Sequence, residues 1–126
     1  MPDQIHITDL SLRCIIGTFP DERREKQDVI LNLTLFCDLR RAGVTDDLRD
    51  AVDYKAVKQA VRALVELSQF QLVEKLAAEV ARLILRMPGI ERVRVRVDKP
   101  GALRFARTVG VEIERTAADF APDGSK

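Results

Sequence analysis

Lys99 is the residue whose sequence context most clearly suggests chemistry. It follows an Arg/Val repeat at residues 92–97, in which three valines share one face of a predicted strand and three arginines share the other. Lys99 is in phase with the valines, and Pro100 ends the strand, so the lysine side chain is expected on the packed side of the sheet. Burial there would lower the pKa of the lysine and suit it to proton transfer near neutral pH. The alternative is a structural lysine whose ammonium group reaches the rim of the sheet.

Three further side chains are candidates for contact with a small polar ligand. Glu74 lies in the first turn of a predicted helix, where a carboxylate either interacts with the helix dipole or accepts two parallel bonds from adjacent N–H donors. Tyr54 lies at another helix start, where tyrosine has no advantage as a cap, so its phenol either packs or passes a proton. Glu22 lies in a charged loop at residues 18–26, and composition alone predicts a solvated carboxylate there.

The charge balance argues against nucleic acid and membranes as partners. The chain has 21 Lys and Arg against 20 Asp and Glu, a net charge of +1. The row Arg92, Arg94 and Arg96 is balanced by acidic strand residues, whereas nucleic-acid binding requires an unbalanced basic surface. No apolar run is long enough to span a bilayer, and the N-terminus lacks the pattern of a signal peptide.

The cysteines and the histidine indicate a reducing compartment and no metal. Cys14 and Cys37 are isolated within strand-like segments, as is typical of small buried side chains in the cytoplasm. His6 is the only histidine, so a zinc site of the usual His/Cys kind is not expected. We therefore expect a cytoplasmic protein without a metal.

Four predicted strands must position the candidate residues. The alternation of the first strand changes phase near Asp9, which predicts a β-bulge. In the last strand Val109, Val111 and Ile113 are expected to face inward. The predicted strands are residues 5–16, 27–38, 92–99 and 108–115.

Two predicted helices lie between the second and third strands. Residues 39–53 are polar and are predicted to be irregular, and a helix then begins near Asp53 or Tyr54. A second helix covers about residues 72–87, with Leu72 on its buried stripe, and Pro88-Gly89 ends it.

This element order predicts an α+β fold of the form ββααββ. Two helices cover only one face of an antiparallel four-stranded sheet, and the other face carries charges of both signs. Such a face suits a wet surface or the polar interior of a barrel, and open sheet edges favour closure between subunits. We expect one domain over residues 1–115 and a disordered tail over residues 116–126.

In their order and spacing, these residues resemble the dihydroneopterin aldolase family of pterin metabolism, over about residues 5–115. The resemblance rests on Gly17, Glu22, Gln27, Thr45-Asp46-Asp47-Leu48, Val52-Asp53-Tyr54, Phe70-Gln71-Leu72-Val73-Glu74-Lys75-Leu76-Ala77, Lys99-Pro100-Gly101-Ala102 and Val109-Gly110-Val111-Glu112-Ile113-Glu114-Arg115. It implies the tunnelling fold, in which four subunits form a sixteen-stranded barrel and two rings often stack as an octamer.

The resemblance also implies a reaction. Family members cleave 7,8-dihydroneopterin by a retro-aldol step to 6-hydroxymethyl-7,8-dihydropterin and glycolaldehyde, in folate and pterin biosynthesis. They use no metal, no other cofactor and no Schiff base, because the pterin ring accepts the electrons. The protein would supply only orientation and proton transfer.

Site roles follow from the resemblance, residue by residue. Glu74 would hold the 2-amino group and the neighbouring ring N–H of the pterin, together with the backbone around Leu72-Val73. Lys99 would be the general acid/base, assisted by Tyr54, which would also contact the substrate. Glu22 would contact the trihydroxypropyl chain of the substrate. Sites in this family lie between subunits, so Tyr54 would come from one chain and Glu74 and Lys99 from its neighbour.

Two departures from the common pattern leave alternatives open. Ile15-Ile16 stand where many aldolases have an aromatic-His pair. Three segments resemble instead the sister dihydroneopterin triphosphate 2′-epimerase, namely Leu12-Arg13, Lys26-Gln27-Asp28 and Ala102-Leu103-Arg104-Phe105-Ala106. Arg104 is either a phosphate contact or a charged loop residue. A non-catalytic oligomer that binds a pterin or purine is the third interpretation.

Overall fold

The computed structural model describes residues 2–120 and contains one antiparallel sheet with the strand order β1-β2-β3-β4. The strands are β1 (Asp3–Cys14), β2 (Gln27–Cys37), β3 (Arg92–Pro100) and β4 (Thr108–Thr116). The predicted α+β class and the order ββααββ of the main elements are confirmed.

The alternation in β3 separates an apolar face from a charged face, as predicted. Val93, Val95 and Val97 are fully buried in the core. The predicted bulge in β1 is also confirmed, because its register with β2 shifts between Ile7 and Leu10. There Asp9 adopts a φ of 56° and its N–H donates to the side chain of a β2 residue, Asn32 Oδ1, at 2.9 Å.

Two long helices, α2 (Tyr54–Leu67) and α3 (Val73–Leu85), cover the apolar face of the sheet. The Asp53 carboxylate caps α2 by accepting the N–H of Ala56 at 3.0 Å, which fixes the start of the helix next to Tyr54. Within residues 2–120, no helix is long and apolar enough to cross a membrane. The buried stripes of the two helices are Val57, Val61, Val65, Leu76, Ala77, Val80, Ala81 and Ile84.

The segment predicted to be irregular, residues 39–53, contains a short helix, α1 (Arg40–Thr45), and a 3₁₀ turn (Leu48–Asp50). The prediction was wrong here because α1 buries no residue and contains Gly43, so it has no apolar stripe. Asp46 ends α1 in the left-handed region at φ 56°, and the Asp47 side chain caps the turn.

Leu72 is not part of the buried stripe of α3, contrary to the prediction. The helix begins one residue later, and Leu72 is its N-terminal flanking residue with extended backbone angles. Its side chain is 53% exposed, whereas Leu76, one turn into the helix, is fully buried.

Ion pairs cover the face of the sheet that carries no helix. Arg94 and Arg92 both pair with Glu114 on β4, at 2.9 and 3.3 Å. Arg96 pairs with the buried Asp98 at 2.9 Å on the same strand. The mixed charges predicted for this face therefore neutralise one another locally.

The end of the described chain differs from the prediction in two places. Val109, expected inward, is 39% exposed because it lies at the start of an edge strand, whereas Val111 and Ile113 pack against the core as predicted. The segment expected to be disordered begins inside β4, and Ala117–Phe120 form a 3₁₀ turn whose Phe120 ring lies 4.8 Å from the guanidinium of Arg82. Residues 121–126 lie outside the described residues.

Gly110 provides a test of the packing on the charged face. A Cβ at this position would overlap Asp98 Oδ1 and lie 3.0 Å from the carbonyl oxygen of Val97. Gly110→Ala should therefore lower the free energy of unfolding by about 1–3 kcal/mol, measured by urea denaturation at fixed protein concentration. Gly43→Ala is the matched control, since nothing lies within 4 Å of its added Cβ. Gly43→Ala should stabilise α1 slightly. An unchanged urea midpoint for Gly110→Ala would contradict the close packing of Gly110 against Asp98.

Candidate active site

An ion pair between Lys99 and Glu22 lies at the end of β3. Lys99 Nζ and Glu22 Oε2 are 3.0 Å apart, and the Lys99 side chain is only 11% exposed. Lys99 is thus neither a solvated lysine nor an unpaired buried one, because its ammonium group meets a carboxylate from the β1–β2 loop. The structure brings together two of the site residues predicted from the sequence.

The β1–β2 loop holds the Glu22 carboxylate in a fixed orientation. Oε1 accepts the backbone N–H groups of Thr18 and Phe19, both at 3.1 Å, and Gln27 Nε2 lies 3.4 Å from Oε2. Gly17 is required below it, because a Cβ there would overlap the Glu22 carboxyl group and the residue has a φ of 117°.

The surroundings of Glu22 keep it charged. The hydrogen bond from Lys99 is the main cause that lowers the pKa of Glu22 below its ordinary value, and the bond from the Phe19 N–H adds to it. Partial burial acts in the opposite direction and is outweighed. At neutral pH the site therefore presents a carboxylate next to the Lys99 amine group.

Cys14 lies near Lys99, and Ser68 lies next to Cys14. Ser68, at the C-terminal end of α2, is 8% exposed, and its hydroxyl donates to Val65 O at 2.7 Å. The thiol of Cys14 is fully buried beside it, and burial raises the pKa of that thiol.

Glu74 lies at the same end of the domain as Lys99. It is in the first turn of α3 and is exposed, as are the preceding Gln71 and Leu72. Val73, the first residue of α3, is partly buried against the core. A ligand at this helix start would meet a carboxylate and unpaired backbone N–H groups together.

Tyr54 lies at the other end of the domain. It opens α2, whose C-terminal end is next to Ser68, and a helix of this length separates the two by about 20 Å. Its ring is 57% exposed, beside a pocket of about 450 Å³ lined by Leu48, Val52 and neighbouring residues. Within one chain, Tyr54 does not meet Lys99 or Glu22.

Some residues of the site had no signal in the sequence analysis. Arg23 donates to carbonyl groups of two loops, but its sequence context predicts only one of several charged residues in the loop at residues 18–26. The sequence predicts Cys14 only as a small buried side chain, and no motif singles out Ser68. The only available signal for this loop concerns Glu22. Its spacing of five residues from Gly17 allows the carboxylate to fold back onto its own loop.

The family model FolB, dihydroneopterin aldolase, matches residues 5–114. The chain belongs to the dihydroneopterin aldolase family. The match includes both long helices, β2 and β3, and most of β1 and β4, and the resemblance drawn from the sequence motifs is confirmed.

The relatives of this family member include proteins named as dihydroneopterin aldolase and as dihydroneopterin triphosphate 2′-epimerase. Folic acid synthesis protein FOL1 of Dictyostelium discoideum is 40% identical over 118 residues, which are 94% of this chain but 18% of that protein, so the chain spans about a fifth of that relative. Dihydroneopterin aldolase of Escherichia coli K12 is 36% identical over 113 residues, covering 90% of this chain and 93% of that one. Dihydroneopterin triphosphate 2′-epimerase of Pseudomonas aeruginosa is also 36% identical, over 110 residues, covering 87% and 89%.

Two solved structures share the fold of this family member. FolB of Vibrio cholerae O1 superposes with a TM-score of 0.89 at 41% identity, covering 92% of this chain and 98% of that one. Escherichia coli dihydroneopterin aldolase in complex with neopterin gives a TM-score of 0.85 at 37% identity, covering 90% and 98%. The expected tunnelling fold of the single subunit is thereby confirmed.

Removing Lys99 tests the ion pair directly. Lys99→Met should raise the pKa of Glu22 toward the ordinary value of a carboxyl group, because the main cause of its lowering is lost. The measurement is a ¹³C NMR titration of glutamate carboxyl carbons. Lys26→Met is the matched control, since that exposed lysine lies in the same loop and makes no side-chain bond to Glu22.

The same pair has a predicted effect on stability. The folded-state pKa of Glu22 lies below its unfolded value, so the pair stabilises the fold above about pH 4.3, and this contribution is lost as the pH falls through the lowered value. The difference in unfolding free energy between parent and Lys99→Met should shrink as the pH is lowered through this range. Identical Glu22 titrations in the two proteins would rule out the pair.

Proposed function

We propose that this chain is a dihydroneopterin aldolase, a carbon–carbon lyase that cleaves 7,8-dihydroneopterin into 6-hydroxymethyl-7,8-dihydropterin and glycolaldehyde for folate synthesis. The observation that carries the proposal is the part-buried Lys99–Glu22 pair at the same end of the domain as Glu74. Support also comes from the neopterin complex of a structural neighbour. We infer a cytoplasmic location, which suits the free thiols of Cys14 and Cys37.

The ring of the substrate would bind at the start of α3. The Glu74 carboxylate would accept the 2-amino group and the adjacent ring N–H as two parallel bonds, and the backbone at Leu72 and Val73 would complete the anchor. The exposed position of Glu74 leaves its oxygens available to a ligand, as the role requires.

Proton transfer would take place at Lys99. Loss of the proton from the second side-chain hydroxyl breaks the bond between the first and second side-chain carbons, and glycolaldehyde leaves. The electron pair enters the imine of the dihydropterin ring, and the first carbon then receives a proton. Glu22 would hold the hydroxyls of the chain, and Lys99 would carry the protons with Tyr54, with no metal and no Schiff base.

The site would be completed by a second subunit. Tyr54 lies about 20 Å from the C-terminal end of α2, and the loop after that end contacts Arg23, the neighbour of Glu22. A Tyr54 that reaches the substrate must therefore come from a neighbouring chain. Apolar side chains are exposed at both ends: Val44, Leu48 and Tyr54 at one, Phe19, Leu72 and Leu103 at the other. Contacts between unlike surfaces close into a ring when the rotation allows it, and pairing the β1 edge of one subunit with the β4 edge of the next would give a homotetramer or a stacked octamer.

Epimerisation is the second candidate function, favoured by the equal identity to an epimerase. Re-addition of glycolaldehyde after cleavage would invert the 2′ carbon with the same groups. The deciding assay incubates the purified protein with dihydroneopterin and, separately, with its triphosphate. Release of the aldehyde (glycolaldehyde from dihydroneopterin, its triphosphate ester from the triphosphate) and 2′-epimer formation are scored for each substrate. The aldolase proposal predicts rapid release from the unphosphorylated substrate. Absence of both products would leave only a pterin- or purine-binding role.

Lys99→Ala tests the acid/base assignment. Turnover should fall by roughly 10²- to 10⁴-fold, the usual effect of losing a positioned acid or base, while affinity for 6-hydroxymethylpterin changes little. Lys26→Ala, which removes an exposed charge from the same end, should turn over like the parent. A structural lysine predicts the reverse, namely lost assembly with retained activity per folded subunit. Tyr54→Phe should slow turnover without weakening product binding.

Glu74→Gln tests the ring anchor. The amide presents one N–H₂ group to the donors of the pterin, so affinity for 6-hydroxymethylpterin should fall by roughly 10²-fold, measured by calorimetry. Glu66→Gln is the matched control, because that carboxylate pairs only with Arg62 on the surface of α2. Unchanged affinity in Glu74→Gln would return Glu74 to a helix-dipole role.

A further inference from the structure

Arg23 joins the two loops that carry the opposite ends of the proposed site. Its guanidinium donates to Gly17 O at 3.0 Å and to Phe70 O at 3.1 Å through one nitrogen, and to Gln69 O at 2.6 Å through the other. Gly17 belongs to the β1–β2 loop, and the other two carbonyls belong to the loop between α2 and α3. The side chain is half-buried between them.

The geometry points to Arg23 as a positioning residue that sets the spacing between Glu22 and the first turn of α3. The inference rests on the proposed function, in which Glu22 holds the side chain of the substrate and Glu74 holds its ring. One substrate molecule must span both groups, so their separation decides whether the bond to be broken lies next to Lys99.

Each link of this connection is short. On one side, Gly17 precedes the two N–H groups that bind the Glu22 carboxylate, and Glu22 is the residue before Arg23. On the other, Phe70 is four residues before Glu74, and α3 starts at Val73 without a side-chain cap. The carbonyl contacts of Arg23 are therefore a direct side-chain link between the two loops.

An arginine suits this task better than a lysine. The planar guanidinium directs donors at three carbonyl oxygens at fixed angles, whereas an ammonium group offers one nitrogen on a flexible stem. Its neighbour Arg24 pairs only with Asp21 at 2.8 Å, and both of those side chains are largely exposed. Arg24 therefore has the same chemistry in the same loop without the link, which makes it the matched control.

The test compares two ligands of different reach. Neopterin carries the trihydroxypropyl chain and spans both groups, whereas 6-hydroxymethylpterin lacks the outer two carbons and meets only the ring anchor. In Arg23→Met, affinity for 6-hydroxymethylpterin should stay within about twofold of the parent, while affinity for neopterin falls about tenfold and kcat falls about 10- to 100-fold. Arg23→Lys should show the same order of effects with smaller size, and Arg24→Met should match the parent.

Other outcomes overturn the inference in distinguishable ways. Equal loss of affinity for both ligands, or failure of both Arg23 variants to assemble, would show that Arg23 only supports the fold. If Arg23→Met keeps the affinities and the kcat of the parent, the spacing between Glu22 and the first turn of α3 does not depend on Arg23. If the parent protein itself binds neither ligand, the proposed function fails and the inference fails with it.

Discussion

The contact between Lys99 and Glu22 is the interaction on which the arrangement of this end of the domain depends. A lysine at the end of a buried strand face costs free energy unless a carboxylate reaches it, and here the carboxylate comes from a loop 77 residues away. Glu22 in turn needs the two loop N–H groups and the space left by Gly17. The pair, the loop and the strand end therefore form one unit, in which a charged donor and a charged acceptor are held in contact with little solvent exposure of the lysine.

The sheet has two faces with different tasks. Its apolar face packs under α2 and α3 and sets the position of both helix ends, so that the start of α3 lies with Lys99 and the start of α2 lies at the far end. Its other face is neutralised by ion pairs between β3 and β4. A single chain thus has the Lys99–Glu22 ion pair at one end and an exposed Tyr54 at the other. Only a neighbouring chain can bring these ends together.

Local periodicity was enough to predict most of this fold. The alternation in β3 gave the buried valines and the phase of Lys99, and the change of phase in β1 gave the bulge at Asp9, since both depend on a period of two residues. The partner of Lys99 could not be found this way, because no local pattern links residues so far apart. Leu72 was misassigned because a periodic stripe does not show where a helix starts, and the role of Arg23 depends on loop conformation alone.

The central claim is that the active site is shared, with Tyr54 from one chain and Lys99 from the next. It is tested most directly by co-expressing Tyr54→Phe and Lys99→Ala chains with different tags and purifying the mixed assemblies. With random mixing, about a quarter of the interfaces combine an intact tyrosine with an intact lysine, so a corresponding fraction of the parental dihydroneopterin cleavage should return. Mixed assemblies that are no more active than the average of the two single variants would contradict a shared site.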